Sequence, residues 1–145
     1  MELTRNAALI GGLAVNSWLD IRSRKVSMLV VYLMLGSGLV IHLVEKDLFS
    51  VNLVLALIPG LACLLLSAWT REAIGFGDSW MILGMGGLLY PEQLMTVGIT
   101  ALFGAAVTGL LLMSLFRKSG RYELPFVPFL FGAYILVKGI DMWKL

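Results

Sequence analysis

The chain alternates long apolar runs with short polar breaks. Four runs are long enough to cross the roughly 30 Å hydrocarbon core of a bilayer as helices. They are "VSMLVVYLMLGSGLVIHLV" (26–44), "LFSVNLVLALIPGLACLLLSAW" (48–69), "LMTVGITALFGAAVTGLLLMSLF" (94–116) and "LPFVPFLFGAYILVKGIDMW" (124–143). Two shorter runs, "NAALIGGLAVNSWL" (6–19) and "SWMILGMGGLLY" (79–90), have the length of buried or re-entrant helices. Such a helix can still cross inside a bundle, where protein rather than lipid satisfies its ends. No run shows the in/out alternation of an outer-membrane barrel strand. The pattern predicts an all-α membrane protein, one domain over 1–145. Its architecture is a bundle of about six transmembrane helices, two of them short. The first run also has the length of a signal-peptide core. The polar residues after it look functional, so it is read as a retained helix.

Composition agrees with the pattern. Hydrophobic residues make up 59% of the 145 positions and charged residues 14%, a balance that a soluble domain of this size cannot bury. The net charge of +2 is too small to point to nucleic acid. Its distribution sets topology instead. Loops one, three and five hold Arg22, Arg24, Lys25, Arg71, Arg117, Lys118 and Arg121, whereas loops two and four hold only Lys46. The positive-inside rule therefore puts the odd loops in the cytosol. The lone cysteine, Cys63, lies in an apolar run and reads as a small buried side chain. Pro59 should kink the third helix, whereas Pro125 and Pro128 suit the first turn of the sixth.

Ionisable groups at membrane depth are costly and are functional candidates by default. Glu2, Glu45, Asp47, Glu92 and Glu123 fall in termini or loops, Glu72 adjoins Arg71, and Asp141 is three residues from Lys144. All have solvated or paired roles open to them. Asp20, closing the first run, and Asp78, opening the fourth, remain. The topology puts both at the cytosolic face. Two carboxylates that meet can share a proton, which is the acid/base pair of an aspartyl protease. Capping of backbone, or pairing of Asp20 with Arg22, is the plainer alternative. Gly75 and Gly77 permit close backbone approach around Asp78. Helix dipoles argue for a proton resting on Asp20, at a helix C-terminus, with Asp78 charged at an N-terminus as its cap.

These residues carry a resemblance. "LDIRSRKVS" after a first apolar helix and "GFGD" before a fourth resemble the two motifs of the type IV prepilin peptidases, GxGD-type intramembrane aspartyl proteases. Asp20, Ile21, Arg22 and Arg24–Lys25 fit the first motif, and Gly75, Phe76, Gly77 and Asp78 fit the second. "PFVPFLFG" (125–132) is similar to the start of the family's sixth helix. The chain departs from the pattern at Trp80, where a lysine is common, and at Val127, where glycine is usual. It departs again at Ser27–Met28, where the family commonly has Pro-Asn.

The resemblance implies an endopeptidase that cleaves the leader of type IV or Tad/Flp pilin-like precursors at the cytosolic boundary of the bacterial inner membrane. Asp20 and Asp78 are then the catalytic pair, with Gly75, Gly77, Arg22 and Asn16 as supporting or substrate-binding residues. Asn16 lies one helical turn before Asp20, on the same face. His42 falls near the far end of helix two, remote from the pair. The implied partners are a precursor protein and membrane lipid, with no nucleic acid, metal or cofactor. The chain resembles the short peptidase-only form, without the methyltransferase domain. Two other readings stay open: a catalytically silent subunit of a pilus or secretion machine, and a small transporter using both aspartates as proton carriers. A transporter should show broken helices in repeated halves, and the sequence has no such repeat.

Overall fold

The computed structural model describes residues 1–47, 50–70, 75–116 and 124–143. Arg71, Glu72, Arg117, Lys118, Arg121, Glu123 and Lys144 lie outside the described residues. Six helices follow one another: α1 (Glu2–Ser23), α2 (Met28–Val44), α3 (Val51–Trp69), α4 (Phe76–Gly86), α5 (Pro91–Phe116) and α6 (Val127–Trp143). No strand occurs among the described residues.

Local chemistry explains several ends. The α1 helix stops where Arg24 enters the left-handed region at φ 53°, its N–H closing on the Asp20 carbonyl. This conformation is uncommon for a residue with a Cβ, and it turns the chain sharply into α2. Ser50 caps α3 by accepting the Leu53 N–H at 3.2 Å. Pro128 falls in the first turn of α6, where its missing N–H costs no helical bond.

The short helix α4 is the centre of the bundle. It packs most heavily on α3 and also on α2 and α5. Glycines make the close approach possible. A Cβ on Gly60 of α3 would stand 2.5 Å from the Leu83 Cα, and a Cβ on Gly86 would run into the Ala56 carbonyl. One on Gly38 of α2 would meet the Gly87 backbone. The α6 helix packs on α1 and α5. The core gathers Leu9 and Leu13 of α1, Met81 and Met85 of α4, Val97 of α5 and Tyr134 of α6.

The two ends of the bundle differ. At one end buried Arg5 pairs with Glu45 and lies 5.2 Å over the Tyr90 ring. Nearby, the Tyr134 hydroxyl donates to Asn6 Oδ1 at 2.9 Å. The other end gathers the C-terminus of α1 and the N-termini of α2, α4 and α6 around a cavity.

Among the described residues, two helices are long and apolar enough to cross a membrane: α3 and Pro91–Leu115 of α5. The α2 helix is apolar but has 17 residues. The expectation of two short helices is met at α4, with 11 residues, but not at α1. That helix runs for 22 residues because helical structure continues beyond the apolar run into Glu2–Arg5 and Asp20–Ser23. Its polar ends lower its mean hydropathy rather than its length.

Candidate active site

A cavity of about 740 Å³ opens at the junction of four helix ends. Asp20, Arg24 and Lys25 line it from the end of α1, Val26 and Met28 from the start of α2, and Gly75–Asp78 from the start of α4. Leu124, Pro125 and Phe126, leading into α6, complete the wall. Both aspartates thus face one space, and the Asp20 charge acts on Asp78.

Their surroundings differ. Asp20 is 6% exposed, and its Oδ2 accepts the Val127 N–H at 3.0 Å. That donor is one of the N–H groups left over at the start of α6, and a carboxylate satisfies it well. Burial raises the Asp20 carboxyl above the ordinary range, while the Val127 N–H, the Arg24 guanidinium and the Phe126 backbone all pull it back. Asp78 has less help. Burial pushes its carboxyl up to about 6, and the Asp20 charge pushes the same way. Both groups lie outside the apolar runs 6–19 and 79–90, at the polar mouth.

The contacts around the two carboxyls run against the expected asymmetry. The dipole argument put the proton on Asp20 and made Asp78 a charged cap. The N-cap of α4 is Gly75, with no side-chain cap bond, and Asp78 sits further along the first turn. Asp20, at a helix end that should disfavour its charge, receives an N–H and a cation instead. These contacts favour the charged form of Asp20, whereas burial and the Asp20 charge both disfavour that of Asp78.

The glycines act at short range. A Cβ on Gly75 would stand 2.7 Å from Asp78 Oδ2, and a Cβ on Gly77 would stand 2.9 Å from Val26 Cγ2. Gly75 leaves room for the carboxylate, and Gly77 lets α4 close on the α1–α2 turn. Asn16 is fully buried and does not line the cavity. Its Oδ1 accepts the Ser27 N–H at 2.8 Å, and its Nδ2 reaches Met81 Sδ at 3.1 Å. It ties α1 to the start of α2 and to α4, one turn from Asp20.

Arg22 is exposed and is not part of the cavity wall; Arg24 and Lys25 take that place. The left-handed turn at Arg24 carries these two residues round to the cavity side. The backbone of 124–127 is the other component not singled out from sequence, although "PFVPFLFG" marked its position. Val127 contributes its N–H, which any residue except proline supplies at that position. Trp80 stands beside the cavity wall, edge-on to Tyr32 and Phe76. His42 is in the last turn of α2, with Glu45 of the Arg5–Glu45 pair just beyond it. No cluster of metal-ligating side chains occurs among the described residues.

Comparison with curated proteins and with solved structures yields no match. A sequence profile of the type IV leader peptidase family matches residues 7–114, a stretch that holds Asp20, Asn16, Gly75, Gly77 and Asp78. With most of the chain matched, including both segments that bring an aspartate to the cavity, the protein belongs to the type IV leader peptidase family, the prepilin peptidases.

Proposed function

We propose that this protein is a membrane endopeptidase of the aspartic class that removes the leader of a pilin-like precursor. The observation that carries the reading is the meeting of Asp20 and Asp78, from opposite parts of the sequence, on one polar cavity at one end of an apolar bundle. Family membership supplies the reaction class, peptide-bond hydrolysis of a leader. The charge pattern supplies the orientation: the cavity end carries Arg22, Arg24 and Lys25 and faces the cytosol in a multi-pass inner-membrane topology.

The chemistry follows from the asymmetry of the pair. Asp20, the charged member, takes a proton from a water molecule as its oxygen attacks the scissile carbonyl carbon. Asp78, the protonated member, donates to the carbonyl oxygen as negative charge develops there. Collapse of the tetrahedral intermediate breaks the C–N bond as the proton held by Asp20 passes to the leaving amine, and a diol hydroxyl returns its proton to Asp78 as the carbonyl reforms. The pair ends with one proton, as it began. Arg24 steadies the Asp20 charge, and Asn16 holds the helix ends in register.

The test is co-expression with a precursor that has a basic leader and a glycine before its apolar helix. Wild type should cut the leader, and Asp20→Asn and Asp78→Asn should each abolish cutting while the protein still inserts. Cleavage that persists in both variants overturns the two-aspartate mechanism.

A further inference from the structure

An aromatic cluster adjoins the cavity and takes no part in the chemistry above. The Trp80 ring meets Tyr32 at 5.7 Å between centroids and an interplanar angle of 85°. It meets Phe76 at 6.3 Å and 74°. Phe76 also lines the cavity, so the cluster and the cavity share a wall. Trp80 is partly buried against the core, whereas Tyr32 is 56% and Phe76 44% exposed. The outer two rings therefore present open apolar surface while the middle ring holds them in place.

The positions along the helices give this surface a direction. Both α2 and α4 start at the cavity, with Met28 and Phe76 in its wall. Tyr32 and Trp80 each lie four residues further on, about 6 Å deeper along their helices. The exposed Leu29 lies between Met28 and Tyr32. An apolar strip thus leaves the cavity at Phe76, passes the level of Asp78 and continues along the α2–α4 seam to Trp80 and Tyr32.

We propose that Tyr32, Phe76 and Trp80 form a subsite that selects bulky apolar side chains one or two residues after the scissile bond. The inference rests on the peptidase reading, because it takes the occupant to be the apolar segment that follows the leader. With the scissile carbonyl at Asp20 and Asp78, Trp80 lies two residues beyond Asp78 along α4, about 3 Å, which corresponds to one residue of extended chain or two of helix. Leu, Ile or Phe at those places packs on the rings, whereas Asn or Gly leaves them uncovered. These rings are specificity-determining; they neither hold nor move the shared proton.

The experiment uses purified full-length protein and a synthetic precursor peptide with a basic leader, a glycine before the bond and a leucine-rich segment after it. Trp80→Ala should raise KM about tenfold, the usual scale for losing an aromatic anchor, and leave kcat within about threefold. Trp80→Phe should recover most of the loss. Tyr32→Ala, at an exposed site that does not threaten folding, should move KM in the same direction. Changing leucine to asparagine one or two residues after the bond should cost wild type about tenfold and Trp80→Ala much less. In the Asp78→Asn background, a photo-reactive side chain at those peptide positions should crosslink to Tyr32 or to segment 76–80. Unchanged KM in both Ala variants, with Asp78→Asn inactive, makes the cluster an aromatic anchor in the headgroup layer and overturns the inference alone. Absence of cleavage by wild type, with no crosslink in the Asp78→Asn protein, overturns the peptidase reading itself.

Discussion

Burial and the charge of Asp20 disfavour the ionised form of Asp78, and ionising it in the folded protein has a thermodynamic cost. An unfolded chain releases the Asp78 proton near pH 3.8, whereas the folded protein holds it to about 6. The folded state binds more protons between those values, so its stability falls as pH rises through the window and stays lower above it. Asp78→Asn removes this cost. It should be more heat-stable than wild type at about pH 7.5, by something of the order of 1–2 kcal/mol once solvent in the cavity is allowed for. The difference should vanish below about pH 4, which thermal scans at both pH values check. Activity should decline as pH rises past about 6, when the second carboxyl loses its proton. A second residue-scale prediction concerns Val127. Val127→Gly keeps the N–H that reaches Asp20 and should retain activity, with stability lower by roughly 1–3 kcal/mol for the lost buried side chain. Val127→Pro deletes the donor at a first-turn position that tolerates proline and should cut kcat. The pH–rate profiles of the two variants distinguish the roles.

At the scale of the elements, glycine at contact points decides how close the helices come. A Cβ on Gly60 meets the backbone of Leu83, which cannot rotate away. Gly60→Ala should therefore push α3 from α4 and cost about 1–3 kcal/mol or more, read as a lower unfolding temperature in detergent. Gly75→Ala is a different case, because the atom it meets is the end of the Asp78 side chain. That carboxylate can swing aside, so the fold should survive while kcat drops, about tenfold or more for a displaced reacting group. The apolar pattern predicts all six elements, and each observed helix overlaps its run. It places α1 too short, because hydropathy stops counting at the first charged residue whereas backbone hydrogen bonding does not. The Asp20 partner is less legible still. Nothing in "NSWLDIRSRKVS" indicates that an N–H at Val127, 107 residues away, answers that carboxylate.

For the whole molecule, the direction in which the bundle faces is testable. The topology from basic residues makes a direct prediction. In a Cys63→Ala background, Lys25→Cys at the cavity end should react with a membrane-impermeant thiol reagent only from the cytosolic side. Glu92→Cys, at the start of α5, should react only from the opposite side. The reverse pattern would invert the site and separate it from a basic leader held in the cytosol. Apolar side chains such as Leu65, Leu102, Phe103 and Leu110 cover the outside of α3 and α5, as expected for helices that meet lipid.

By itself, the sequence determined the solvent and the candidates. Continuous apolar runs require internally satisfied backbone and therefore helices, and Asp20 and Asp78 stand at run ends on the same predicted face. Tertiary structure decided the rest, because it depends on which helix ends converge. Convergence gave Asp20 its N–H donor and brought Arg24 and Lys25 rather than Arg22 to the cavity, while Gly75 rather than Asp78 became the N-cap of α4. No local pattern of residues encodes those contacts.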